Sequence, residues 1–587
     1  MAVLFLGSID LSSCTVPSQA APPTPTQRMR ITPAAALPPE LATDRLLTAM
    51  RAELQRTADR LRLTGHEAPY YVAYAARETH KRTVVGKHGS VITSDATRTR
   101  QAIVDVRVGS YAFDNSDDLE LDWVEEGVYE PNNLLPREND DDATRHVFWL
   151  LTDLRYKQAL SSYLKLKGQG VFRVRDPDRR PSFSSAPAVV HADPLPTLTF
   201  ATEHWERVAR SLSHVLGSDP SVFDSEVTIT AHAETRWLVN TEGTSLRTTY
   251  PIYALHVAAY TRAEDGMVLD QSIDHYAPTE DGLPAQDVLD HQVHRLLGDL
   301  AALRAAPVLD PYTGPALLES AATGVFFHEV LGHRLEGDRQ QSENDGQTFA
   351  KHLGQPIAPS FLSLHDDPTI STDAGQPLNG SYRYDEEGVA PERVTLVDRG
   401  VLRGFLAGRR PPVGTTRSNG HGRAESARRP GSRMGNLFVV AHDPVPDDRL
   451  RALLLEEVRR QGKPFGLIIR DISGGSTNTS SYGYQAFKGE ARMVYKVDAA
   501  TGAETLVRGV EIVGTPLATI NKIIAAGTER GVFNGYCGAE SGMVPVSTVA
   551  PATLFGEIEL QRSAKPRTTG PILPPPPLLS PAAAGAP

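Results

Sequence analysis

The sequence predicts an α+β protein in two parts: a mixed helix and antiparallel-sheet domain, then a strand-rich domain. Three observations carry this. Apolar residues recur at helical spacing in the first half, beside stretches of strict alternation. In the second half short β-branched and apolar runs are punctuated by Gly and Asp, with few helical patterns. A proline-bracketed stretch, Pro307 to Pro311, separates the halves.

The first half opens with Leu47, Met50, Leu54, Ala58 and Leu61, one face of a helix. Val104, Val106 and Val108 then alternate with Asp105 and Arg107, as a half-buried strand requires. Helical patterns follow at Val147 to Leu164 and Thr202 to Leu216, and strand patterns at Val227 to Ile229 and Tyr253 to Ala259. The acidic run Glu138 to Asp142 precedes a helix, where negative charge favours the N-terminus. This domain is assigned residues 41–305. The second, 306–565, has strand patterns at Arg393 to Val397, Leu437 to Val440, Phe465 to Ile469 and Arg492 to Lys496. One helix, Leu450 to Arg460, stops at Gly462. Residues 1–40 and 566–587 are Ala/Pro-rich and predicted to be disordered.

Composition narrows the function classes. There are 60 basic and 71 acidic side chains, a net charge of −11, and a hydrophobic fraction of 40%. That is a globular composition, and its acidic balance argues against nucleic acid as the main partner. No run reaches the roughly 18 apolar residues of a membrane-spanning helix. The expected location is cytoplasmic. The alternative is an exported lipoprotein attached through Cys14, although Asp10 interrupts the apolar approach to it. Two cysteines cannot make a disulfide framework for 587 residues.

The most informative segment is His328-Glu-Val-Leu-Gly-His333. Two imidazoles with a carboxylate directly after the first are the minimum for a hydrolytic zinc centre. In His-Glu-x-x-His the ligands lie about 40° apart on a helix; here, at i and i+5, they lie about 140° apart. A π-type widening would bring them together, and Gly332 is the residue most tolerant of it. Alternatively, Glu329 and His333 form an ordinary i,i+4 helix pair. Cys537 lies in a Gly-rich segment, Asn534 to Val546, read as a loop leading into a strand. It is either a third ligand or a small buried hydrophobe. Glu336 and Asp338 are alternative ligands, or else residues closing a helix that Gly337 ends in a left-handed cap. His291 and His294 lack a following carboxylate and read as surface histidines. Ser473 to Asn478 lacks the Lys-Ser/Thr of a phosphate loop and reads as a turn beside the cleft.

The run Leu318 to Asp338, with Asp385-Glu-Glu-Gly388, Val397 to Gly404, Ser418-Asn-Gly-His-Gly-Arg423, Cys537-Gly and Val544-Pro-Val546, strongly resembles the TldD/PmbA metalloproteases. The resemblance implies one Zn²⁺ per active chain, held by His328, His333 and Cys537. It implies Glu329 as general base, assisting attack of a zinc-bound water on peptide bonds. It also implies short or unfolded peptide substrates in a chamber formed by two subunits, either a homodimer or a heterodimer with a motif-less paralogue. Arg334 stands where the family usually has Gly, and Ala539 and Gly542 replace the usual Lys and Gln. These departures bear on the pocket wall and substrate preference. His421, Arg423, Tyr482 and Tyr484, in Gly-rich segments of the same half, are candidates for substrate binding or oxyanion stabilisation. Two other readings stand beside the peptidase: a catalytically silent scaffold for an active homologue, and a metal-dependent small-molecule amidohydrolase.

Overall fold

The computed structural model describes residues 29–33, 36–117, 131–170, 180–341, 347–412, 414–426, 428–480 and 486–563, with scattered positions of the tail. Cys14, Tyr482 and Tyr484 lie outside the described residues.

Helix α1 (Arg45–Arg60) starts at Asp44, whose side chain accepts the Leu47 N–H. Strands β1 (Pro69–Lys87) and β2 (Ser90–Ser110) form a long hairpin. Its two turn residues, His88 and Gly89, both have positive φ, as a tight twisted hairpin requires. Then come α2 (Asp141–Gly170), α3 (Thr202–Ser218), β3 (Val222–Asn240), β4 (Ser245–Arg262), β5 (Val268–Ala277) and α4 (Gln286–Ala305). The main strands run antiparallel in the order β2-β1-β3-β4-β5.

Side-chain parity explains the layering. Val72, Tyr74, Val84, Val227, Ile229 and Val239 share one sheet face, and all four helices pack there. Tyr71, Ala73, Arg77 and Leu238 take the other face, which turns toward the second half of the chain. The strands therefore run well beyond the short apolar cores visible in sequence. In β3, His232, Glu234 and Arg236 lie on that second face, where an ion-pair network replaces apolar packing.

The second half contains β6 (Tyr312–Leu318), α5 (Ser320–Phe327), β7 (Leu362–Asp366), β8 (Val394–Asp398), β9 (Asn436–Ala441) and α6 (Asp447–Arg460). It continues with β10 (Phe465–Thr477), β11 (Phe487–Asp498), β12 (Val510–Gly514), β13 (Ile523–Ala539) and β14 (Gly542–Arg562). The main path is β8-β7-β9-β14-β12-β11-β10-β6, with β13 paired to β14. A further β14–β6 pairing closes five of these strands on themselves, and α5 lies in the core beside them. Helix α6 covers another face through Leu450, Leu454 and Val458, and ends at Gly462 with φ +64°.

Buried charge joins the two sheets. Arg409 is fully buried and donates to Ser184 O and the Tyr71 hydroxyl, with a 2.6 Å ion pair to Glu242. Arg77 sits 3.6 Å from both Glu234 and Glu386, and Arg236 pairs with Glu386 at 3.0 Å. The Asp385–Gly388 motif lies here: Asp385 accepts the Gly422 N–H, and a Cβ on Gly388 would meet Leu238 at 2.7 Å. Among the described residues no helix is long and apolar enough to cross a membrane.

Removing one partner of a buried pair strands the other, which costs on the order of 3 kcal/mol. Arg409→Met is therefore expected to lower unfolding free energy by about that amount, measured by urea denaturation against wild type. A change within experimental error would show that the pair does not join the sheets.

Candidate metal centre

Helix α5 is apolar all round. Phe326 packs edge-on against Phe327, Phe487 and Phe555, and Thr323 Oγ1 donates to Leu318 O. At His328 the backbone opens into a π-turn through Gly332, in which the His333 N–H donates to His328 O. This i→i+5 closure brings both rings to one side. Their centroids lie 5.0 Å apart, with planes nearly perpendicular at 86°.

Gly332 has ordinary right-handed helical dihedrals, so left-handed freedom is not why it is Gly. A Cβ there would come within 2.1 Å of Met434 Sδ; the constraint is packing. Gly337 likewise does not end a helix in a left-handed cap. It begins a 3₁₀ turn, Gly337–Gln340, and a Cβ would lie 2.5 Å from Leu406 O.

Cys537 is on β13, two residues before its end, and not in a loop. The hairpin with β14 places its sulfur 3.4 Å from His333 Nε2, across 204 residues of chain. Ligand atoms of His328, His333 and Cys537 all lie within 4.8 Å of one another, and all three residues are buried. The other nitrogen of His333, Nδ1, lies 3.3 Å from Glu336 Oε2. Glu336 is thus on the far side of the ring from the sulfur, orienting the imidazole rather than joining the cluster. It also accepts from Arg339 at 2.9 Å and Arg433 at 3.2 Å. Arg433 in turn donates to Cys537 O at 2.6 Å, which couples the orienting carboxylate to the strand carrying the thiol. Asp338 accepts the Ser432 N–H and is not part of the cluster.

The electrostatics follow from burial and proximity. Burial alone would raise the Cys537 thiol, but His328 and His333 outweigh it and hold it well below its ordinary value. Burial would lower His333, yet Glu336 and Cys537 raise it to about 10. Glu336 is depressed despite its burial by His333 and Arg339. The Nδ1 of His328 is buried with no hydrogen-bond partner. Two imidazoles and a thiolate, with one nitrogen orphaned, are a donor set that fits Zn²⁺. Zn–N and Zn–S bonds of about 2.1 and 2.3 Å put tetrahedral N and S ligands about 3.6 Å apart, close to the Sγ–Nε2 separation.

Glu329 is also buried, and burial raises its carboxyl, partly offset by His328 and His333. It packs against β10 at Gly475, where a Cβ would fall 2.4 Å from Glu329 Cγ. Ser473–Thr477 is therefore strand and not a turn, and its glycine leaves room for the carboxylate. Sequence reasoning missed Gly475; its signal was a Gly pair directly after a strand pattern, Phe465 to Ile469.

Arg334 is buried behind the strand end that follows. Burial and the nearby Arg339 lower it to about 10, so it remains cationic at neutral pH. A cavity of about 1060 Å³ opens between the two halves, lined among others by Val104, Arg155, Glu336, Arg339, Thr477, Asn478 and Glu540.

Of the remaining candidates, the described ones, His421, Arg423, His291 and His294, are not part of the cluster. His421 is fully buried, with Nε2 3.2 Å from Asp366 Oδ1 and Nδ1 2.9 Å from Asn419 Oδ1. Arg423 is buried over the Tyr382 ring and donates to Met434 O and Pro545 O. Both hold loops together: Gly422–Arg423 pairs with Gly431–Ser432, and its glycines mark close packing and not an open cleft. His291 and His294 each contact the backbone carbonyl four residues earlier on an exposed helix face.

Comparison with known proteins adds to this. Residues 311–562 match the family described as PmbA/TldA metallopeptidase C-terminal domain. A metalloprotease of Archaeoglobus fulgidus is 30% identical over 276 residues, 46% of this chain and 59% of that protein. A zinc metalloprotease TldD homolog of Saccharolobus solfataricus is 24% identical over 244 residues, 40% and 49% of the two chains. The chain thus spans between about half and three-fifths of the length of these relatives. The crystal structure of TldE from Thermococcus kodakarensis has the same fold, with TM-score 0.58 and 12% identity, covering 87% of this chain and 100% of that one.

Because the space beside Gly332 is filled by Met434, Gly332→Ala is expected to destabilise the protein by about 1–3 kcal/mol. Adding Met434→Ala should return part of that loss, measured as a double-mutant cycle by chemical denaturation. Additive effects of the two substitutions would rule out the packing account.

Proposed function

We propose that this chain, whose residues 311–562 match the PmbA/TldA metallopeptidase C-terminal domain, is a zinc-dependent peptidase of the TldD/PmbA kind acting on short or unfolded peptides. The observation that carries this is the convergence of His328, His333 and Cys537 from a π-turn and a distant hairpin. These three residues would hold the ion. Zinc there supplies Lewis acidity, making water acidic enough to lose a proton near neutral pH and polarising a carbonyl.

The chain's own residues do the rest. Glu329 takes the proton from the attacking water and delivers it to the departing amine. Its burial, which raises the carboxyl, suits a group that must hold a proton between those two events. Glu336 fixes the tilt and tautomer of His333. The cavity, at about 1060 Å³, is larger than most small-molecule sites and suits several residues of extended peptide. Two sheets flank it, and an extended chain pairs with strands through main-chain hydrogen bonds, which favours unfolded substrates over folded ones. The working assembly we propose is a dimer, with a second copy or a motif-less paralogue.

Glu329→Gln is expected to keep one zinc per chain and lose at least 10²-fold in kcat on an unstructured peptide. Unchanged cleavage by the variant would point instead to a silent scaffold whose partner does the chemistry. Glu336→Gln should weaken zinc affinity by about 10–100-fold, read by competition with a chromophoric chelator. Unaltered affinity would remove Glu336 from its orienting role.

A further inference from the structure

We propose that Arg334 is the positioning residue for Glu329, a strap that fixes the base against strand β10; this rests on the peptidase reading. The side chain spans two elements. Its Nη1 donates to Glu329 O at 3.0 Å and Val330 O at 3.3 Å, both within the π-turn. The same nitrogen donates to Thr477 Oγ1 at 2.6 Å, and Nη2 to Asn478 O at 3.2 Å.

Every one of these acceptors is a neutral oxygen, and among the described residues no carboxylate makes an ion pair with Arg334. A buried cation satisfied by carbonyls and a hydroxyl is not a stability device, since charge burial without an ion partner is costly. What it accomplishes is geometric. Glu329's backbone is tied through Arg334 to Thr477, while its side chain lies against Gly475, two residues earlier on the same strand. Both ends of the base are thereby referenced to β10. Nη1 alone reaches both elements and Nη2 adds the contact to Asn478 O; lysine, shorter and without a second nitrogen, cannot reproduce the whole set.

Arg334 is not among the residues lining the large cavity, and neither are His328, Glu329, His333 and Cys537, whereas its partners Thr477 and Asn478 are. The strap thus runs from the π-turn to the cavity wall. The bond that closes the π-turn, His333 N–H to His328 O, and the Glu336 contact to His333 do not involve the Arg334 side chain, so both histidines keep those supports without it. Loss of the strap should displace the carboxylate without releasing zinc, and misplacement of about 1 Å can cost on the order of 10²-fold in rate.

The experiment compares Arg334→Ala, Arg334→Lys and Thr477→Val with wild type in zinc stoichiometry, kcat and KM on an unstructured peptide. For Arg334→Ala the expected result is one zinc per chain, KM within about twofold, and kcat lower by about 10–100-fold. Millimolar guanidinium chloride should restore part of the kcat of Arg334→Ala and none of that of Arg334→Lys. Thr477→Val, which leaves the buried arginine in place, should lower kcat in the same direction and covers the case in which Arg334→Ala does not fold. Wild-type kcat in Arg334→Lys, zinc lost in step with activity, or a raised KM at unchanged kcat would each overturn the strap. An inactive wild type would instead count against the peptidase reading itself.

Discussion

Two imidazoles and a thiol are enclosed together in an apolar core, and one of the imidazole nitrogens has no hydrogen-bond partner there. Such an arrangement is expensive unless something binds the donors, because buried polar groups need partners and buried charges need neutralising. Much of the second half of the chain can be understood as the means of holding those donors in place. The π-turn closes His328 onto His333, Met434 fills the space beside Gly332, and the β13–β14 hairpin carries Cys537 across. The two histidines hold the Cys537 thiol well below its ordinary value, and Glu336 with Cys537 raises His333. Because the three donors converge only in the folded domain, metal binding and folding of this half would be coupled.

Around the cluster, arginines do the structural wiring. Arg433 links Glu336 to the carbonyl of Cys537, Arg339 links Glu336 to Glu540, and Arg334 links the π-turn to β10. Farther out, Arg77, Arg236 and Arg409 join the two sheets. A guanidinium suits these jobs because it stays charged when buried and reaches several oxygens at fixed angles. The same side-chain type therefore shapes the cluster, the cavity wall and the contact between halves.

What sequence could reveal followed local periodicity. The helices near Leu47, Val147, Thr202 and Leu450 were legible from their apolar spacing, and the spacing of His328 and His333 called for a widened turn if both were to reach one ion. Strand lengths were not. In β2, residues Ser94 to Thr99 are all exposed and only Ala96 among them is apolar, so no alternation marks them. Glycine was the main source of misreading. Gly332, Gly337 and Gly475 looked like sites of flexibility or turning, yet each is where a neighbour approaches too closely for a Cβ. The Gly-rich surroundings of His421 and Arg423 made them candidates for substrate binding, and both are buried in tight packing. Arg334 drew notice as a departure from a family pattern, but its partners on β10 and just beyond, Thr477 and Asn478, lie some 140 residues away and leave no local trace.

The account stands or falls on the three donors acting as one site. Zinc content of the purified wild-type protein, compared with Cys537→Ser, measures this directly. One equivalent in the wild type and little or none in the variant is the expected result, because a hydroxyl cannot replace a thiolate as third ligand. Equal zinc in the two proteins would contradict it, and would leave the proximity of His328, His333 and Cys537 without a chemical purpose.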